Sequence, residues 1–116
     1  MVRTIIIEDE PMVAMLIEEF LCEEGFEITG RAGSLDEADR LIAACPCDVV
    51  VLDVNLHGKS VASLAMALRE RGIPFLFITG YGRARLPETF LDAPLLSKPF
   101  KAEQLIRAVR QLLPAA

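Results

Sequence analysis

Three short apolar runs constrain this chain more than any other feature of it. Val2 to Ile7, Asp48 to Leu52 and Ile73 to Ile78 have strand length, are rich in β-branched or aromatic residues, and do not alternate apolar with polar. A strand with one wet face alternates. A strand apolar on both faces must be covered on both, which predicts a parallel sheet held between two layers.

The stretches between the runs supply those layers. After Pro11, apolar residues recur at Met12, Val13, Leu16, Ile17, Phe20 and Leu21, a helical spacing with Glu18, Glu19 and Glu23 on the other face. Pro11 suits a first helical turn and Gly25 a C-terminal stop. Phe26 to Ala32 reads as a further strand. Ser34, with Glu37 three residues on, forms a capping box ahead of a helix that buries Leu35, Ala38, Leu41 and Ile42. Ser60 to Arg71 reads as a helix with Val61, Leu64, Ala65 and Leu68 inward, ended by Gly72. Leu95 and Leu96, before Ser97, form a short last strand, and Ala102, Leu105, Ile106, Val109 and Leu112 line a last helix. Strands alternating with helices in this way predict an α/β, flavodoxin-like doubly wound sheet of five parallel strands, with 2-1-3-4-5 as the leading order. Tyr81 to Pro94 fits least well. Pro87 would break a helix interior, so the fourth helix is expected to be shortened or irregular.

Size and charge narrow the function. A chain of 116 residues, 53% apolar, suits one domain over residues 1–116 that buries a core without staples. No output domain is expected. The net charge of −5 repels phosphate backbones, which argues against nucleic acid as a partner. Arg3 and Glu8 interrupt the first run as a signal segment, and no run is long enough to span a bilayer, so a cytoplasmic location without a membrane partner is the default expectation. The cysteines Cys22, Cys45 and Cys47 are odd in number and His57 is the sole histidine, which argues against a disulfide framework or a zinc site. Cys45-Pro46-Cys47 reads as small apolar filler near a helix end.

In a doubly wound sheet, ligands sit beyond the carboxyl ends of the strands. Glu8 and Asp9 follow the first run, Asp53 the third strand, Thr79 the fourth, and Lys98 the fifth. Each of these residues alone has a plain structural explanation: helix-dipole charges for Glu8 and Asp9, a cap for Asp53, a turn at Thr79-Gly80, a solvated surface lysine at Lys98. Their coincidence on one rim points to chemistry instead. Clustered carboxylates raise one another's pKa unless a cation joins them, and an all-oxygen site favours magnesium. A carboxylate can attack phosphorus, while a metal and a lysine neutralise the transferring oxygens and a threonine hydroxyl donates to one of them.

At these residues the sequence closely resembles the receiver domain of bacterial two-component response regulators. Ile5-Ile6-Ile7-Glu8-Asp9-Glu10, Val51-Leu52-Asp53-Val54-Asn55-Leu56, Phe77-Ile78-Thr79-Gly80 and Ser97-Lys98-Pro99-Phe100 carry the likeness, which covers nearly the whole chain. The resemblance implies a CheY-like fold and a phosphoacceptor at Asp53. It implies a magnesium site of Asp9, Asp53 and the Asn55 backbone carbonyl, with Glu8 acting through water. Thr79 and Lys98 would contact the phosphoryl group, and the peptide before Pro99 would be cis. It implies a histidine kinase or phosphotransfer protein as donor, a downstream protein partner or a phosphoryl-sink role, and an acceptor that assists its own phosphorylation and dephosphorylation without being an enzyme. One position departs from the family pattern: the aromatic often found three residues before the lysine is Leu95. Phe77-Ile78-Thr79-Gly80-Tyr81 is similar to the F-A-T-G-aromatic motif of a subgroup of single-domain receivers from alphaproteobacteria, with Ile78 in place of alanine. Thr79 and Tyr81 are therefore the expected switch, although Tyr81 also reads as a cover over an apolar groove.

Two rivals remain at this stage. Asp53-Val54-Asn55, Thr79 and Lys98 also resemble a small haloacid-dehalogenase-type phosphatase with Asp53 as nucleophile, but the second aspartate of its motif is Asn55 and no substrate-capping insertion is present. A flavodoxin-like cofactor binder would need a phosphate-cradling glycine loop that the acidic rim lacks. His57, close after Asp53, reads as a solvated loop residue or one that tunes access to the acceptor.

Overall fold

Successive strand residues face opposite ways, so a strand apolar throughout feeds two cores at once. The computed structural model describes residues 1–80, 86 and 88–114 and shows both cores. One is built on Ile5, Ile7, Val50, Leu52, Phe75 and Phe77, the other on Ile6, Val49, Val51, Leu76 and Ile78. These residues belong to β1 (Arg3–Ile7), β3 (Val49–Asp53) and β4 (Phe75–Thr79), joined by β2 (Glu27–Ala32) and β5 (Leu95–Ser97). All pairings are parallel and the order is β2-β1-β3-β4-β5, as the sequence predicts. β1, β3 and β4 are central and almost wholly buried, while β2 at the edge is half-exposed.

Helices cover both faces. α1 (Pro11–Glu23) and α4 (Ala102–Leu112) pack on the Ile6 side through Ala14, Ile17, Leu21, Leu105, Ile106 and Val109. α2 (Leu35–Ala44) and α3 (Ala62–Glu70) pack on the Ile5 side through Ala38, Ile42, Leu64, Ala65 and Leu68. Each fully buried Ile or Leu is worth about 1.5–3 kcal/mol, so the two cores outweigh any single polar contact in holding the sheet. The caps match their residues: the Ser34 hydroxyl accepts from the Glu37 amide at 3.3 Å, and Gly25 and Gly72 stop their helices with φ of +85° and +71°. Cys45 and Cys47 are free thiols packed against the core, as expected of filler, while Cys22 is exposed.

Two differences from the expected pattern have physical causes, and one expectation is met. Met12 is 78% exposed and Leu16 40%, because α1 turns Ala14, Ile17 and Leu21 inward instead. The third helix begins at Ala62, because Lys59–Ser60 pair antiparallel with Asn55–Leu56 in a small hairpin. Its two turn residues, His57 and Gly58, have φ of +49° and +78°, the left-handed pair that a tight two-residue hairpin needs. Finally, the described part of the segment before β5 holds one 3-10 turn, Glu88–Phe90, in agreement with a shortened fourth helix. Phe90 is buried there, edge-on to Phe75 and Phe77 at centroid distances of 6.0 and 5.7 Å, with the Arg69 guanidinium 4.4 Å above its ring. Residues 81–85 and 87 lie outside the described residues, and with them Tyr81 and Pro87.

Candidate functional site

Register fixes how the strand ends meet. β3 pairs with β4 so that Asp53 lies opposite Ile78, and β4 pairs with β5 so that Thr79 lies opposite Ser97. The Lys98 amide then donates to the Thr79 carbonyl at 2.8 Å, and the Lys98–Pro99 peptide is cis. Since β1 pairs with β3, Glu8, Asp9 and Asp53 emerge side by side. The result is a cleft of about 380 Å³ lined by Asp9, Glu10, Asp53, Asn55, Gly58, Thr79, Gly80 and Lys98. All the sequence-predicted site residues among those described converge here, Glu8 lying beneath the others with its side chain wholly enclosed.

One ammonium holds the floor of the cleft together. Lys98 Nζ lies 2.9 Å from Glu8 Oε1, 3.3 Å from Glu10 Oε1 and 3.6 Å from Asp53 Oδ2. Backbone amides fix three further carboxylate oxygens. The Asn55 amide donates to Asp53 Oδ1 at 3.1 Å, the Glu10 amide to Glu8 Oε2 at 3.1 Å, and the His57 amide to Asp9 Oδ2 at 2.9 Å. The hairpin thus does a job that the sequence did not reveal: its turn carries the His57 amide to Asp9, with His57 Nδ1 at 3.6 Å from the same oxygen. Glu10 was also missed as a site residue. Its signal was the unbroken acidic triplet Glu8-Asp9-Glu10.

The electrostatics follow from burial. Glu8 is pushed up to about 7, first by burial and then by its hydrogen bond with Asp53, against the pull of Lys98. Burial also raises Asp53, although its hydrogen bonds to Glu8 and the Asn55 amide and the nearby Lys98 charge oppose the rise. At Asp9 burial works upward too, but it is outweighed by the His57 amide and by hydrogen bonding with Glu8 and Asp53, so Asp9 sits below the usual carboxylate range. Burial alone would lower Lys98, yet its carboxylate partners, Glu8 foremost, hold it above the ordinary lysine value. Among the described residues of the cleft negative charge is therefore in excess, and ligand oxygens of Glu8, Asp9 and Glu10 lie within 4.8 Å of one another. Such a donor set fits a hard divalent cation that keeps some of its water.

Comparison with known proteins agrees with this geometry. Residues 4–110 match the response regulator receiver domain family. The chain belongs to that family. The transcriptional regulatory protein PdtaR of Mycobacterium tuberculosis is 33% identical over 111 residues, which cover 92% of this chain and 54% of PdtaR, so this receiver spans about half the length of that relative. The solution structure of SdrG from Sphingomonas melonis Fr1 superposes with a TM-score of 0.87 at 34% identity, covering 97% of this receiver and 96% of SdrG. The response regulator PhyR from Brucella abortus superposes at 0.83 with 31% identity over 97% of this receiver and 47% of the PhyR chain. Among the described residues, no helix of the receiver is long and apolar enough to cross a membrane.

Proposed function

We propose that Asp53 is the phosphoacceptor and that the chain relays or stores a phosphoryl group donated by a histidine kinase or a phosphotransfer protein. The supporting observation is the position of Asp53. Its carboxylate lines the cleft, one oxygen held by the Asn55 amide and the other facing Lys98 at 3.6 Å, while Glu8 beneath it is fully enclosed. In the proposed step, an Asp53 carboxylate oxygen attacks phosphorus. The donor's phosphorus–nitrogen bond breaks with its electron pair returning to the imidazole, and an acyl phosphate forms. Lys98 would stay beside the added charge, and Thr79, which lines the same cleft, would donate its hydroxyl to a phosphoryl oxygen.

Asp9, Asp53 and the Asn55 carbonyl would hold magnesium, with Glu8 acting through water. The ion would supply charge neutralisation on the transferring oxygens. Thr79, with Tyr81 after it, is the proposed switch, and residues 1–116 the proposed receiver unit, acting in the cytoplasm through protein contacts rather than nucleic acid. A solution structure of SdrG from Pseudomonas melonis Fr1, 34% identical and with a TM-score of 0.83, is of a BeF3-activated conformation, which supports the same chemistry at this rim. Receiver domains are not classical enzymes, and no finding supports the phosphatase alternative, whose second aspartate is Asn55 here.

The test is covalent mass after incubation with acetyl phosphate and magnesium. One phosphate adduct is expected, retained in Asp48→Asn and lost in Asp53→Asn. An adduct that persists in Asp53→Asn, or none with any phosphodonor, would overturn the assignment.

A further inference from the structure

Glu10 occupies the N-cap of α1 and makes no capping bond with its side chain. Its backbone carbonyl accepts from the Ala14 amide at 3.0 Å, and its amide donates to the Glu8 carboxylate, so the Glu10 side chain takes no part in holding the helix start. The side chain instead reaches Lys98, 88 residues away, at 3.3 Å, and does so at the open mouth of the cleft, where 63% of it is exposed. An ordering of this kind costs side-chain entropy and contributes little stability at a wet surface. Its consequence lies in the ammonium it engages.

We propose that Glu10 is a positioning residue that tethers Lys98 and restrains phosphoryl transfer from small diffusible phosphodonors. The proposal rests on Asp53 being the acceptor. Lys98 stands nearer to Glu8 and Glu10 than to Asp53, so its charge is largely spoken for before a donor arrives. A small anionic donor must find an ammonium that Glu10 already engages, and must pass the Glu10 carboxylate to reach it. A donor protein can offset that charge with its own surface, whereas acetyl phosphate cannot. Releasing the tether leaves Lys98 held by Glu8 and turned toward Asp53 and its incoming phosphoryl group.

The experiment compares wild type, Glu10→Gln, Glu10→Ala and Asp53→Asn, with two measurements. The first is the rate of adduct formation from acetyl phosphate in saturating magnesium at low and high salt. The second is magnesium affinity by calorimetry without donor. Both Glu10 variants are expected to react roughly two- to fivefold faster at low salt, a factor of the size that one partly exposed ion pair supplies. The gain should shrink at high salt, where screening already weakens the tether. Magnesium affinity should stay close to that of the wild type, because the proposed ligands are Asp9, Asp53 and the Asn55 carbonyl. A slower reaction together with weaker magnesium binding would overturn the proposal and make Glu10 a metal ligand instead. Equal rates in wild type and both variants would overturn it as well, while leaving Asp53 as the acceptor. An adduct in Asp53→Asn would instead remove the reading on which the proposal stands.

Discussion

The two ends of β1 and β3 hold charge in opposite ways. At the starting end, Arg3 and Asp48 satisfy each other fully. Asp48 accepts from the Arg3 amide at 2.8 Å and from two guanidinium nitrogens at 3.1 Å, both side chains staying about two-fifths exposed. These hydrogen bonds hold Asp48 below its ordinary value and Arg3 above its own. At the finishing end of the same strands, Glu8, Glu10 and Asp53 crowd around Lys98 with Asp9 in the same cleft, and burial drives Glu8 and Asp53 upward. One end is an ion pair that closes a sheet. The other is a charge imbalance that the fold tolerates and a cation or phosphoryl chemistry can use. The contrast teaches that perturbation alone does not mark the site; enclosure of charge does. The exposed, paired Asp48 goes down, while burial lifts Glu8 and Asp53, and beside them Asp9 is held low by the His57 amide.

Removing Lys98, the one cation among the described residues in contact with the finishing-end carboxylates, should give the largest effect. Lys98→Ala leaves Glu8 enclosed without its counter-charge, and should cost about 1–3 kcal/mol in chemical denaturation of the metal-free protein at neutral pH. Protonation of Glu8 limits the loss, so the deficit should shrink as pH falls. A Lys98→Ala protein as stable as wild type at pH 8 would show that the two ends are not different in kind.

Glu8→Gln should act with the opposite sign. Because the folded state holds the Glu8 proton up to about pH 7 while the unfolded chain releases it near its ordinary value of 4.5, wild-type stability falls as pH rises between those values and then levels off. The variant lacks that slope. Above pH 7 it should gain on the order of 1 kcal/mol without metal, and lose magnesium affinity. Thermal melts across pH 4–8 read the first effect and calorimetry the second. A variant both less stable and unaltered in magnesium binding would break the comparison.

Asp48→Asn should have the smallest effect. Its folded pKa is lowered, so its contribution is present above the ordinary value of 3.8 and disappears as pH falls through the lower folded one. At neutral pH the melting temperature should move less than for either variant at the other end, given how exposed the pair is. A shift larger than that of Lys98→Ala would mean that the starting end carries the stability attributed here to the apolar cores.

Much of this was legible from local pattern, and the exceptions share a cause. The runs at Ile5–Ile7 and Val49–Leu52 announced a covered parallel sheet because a period-free apolar strand has no other stable setting. Glu8, Asp9, Asp53, Thr79 and Lys98 announced a rim because each directly follows or ends such a run. The Asn55–Ser60 hairpin escaped notice because two-residue strands carry no periodicity, leaving only His57-Gly58 as a turn signal. Met12 was placed on the wrong face of α1 because apolar spacing shows that a stripe exists, not which edge of it the sheet covers.

By itself, then, the sequence determined the parallel sheet, its covering helices and the carboxylates that end its strands, since these depend on residues within a few positions of each other. Tertiary structure alone decided that Lys98 rests on Glu8 and Glu10 as well as facing Asp53, and that the His57 amide holds Asp9. Those contacts join segments 45 to 90 residues apart. Their partners are selected by strand register and by competition among several carboxylates for one ammonium, and neither leaves a local trace in the chain.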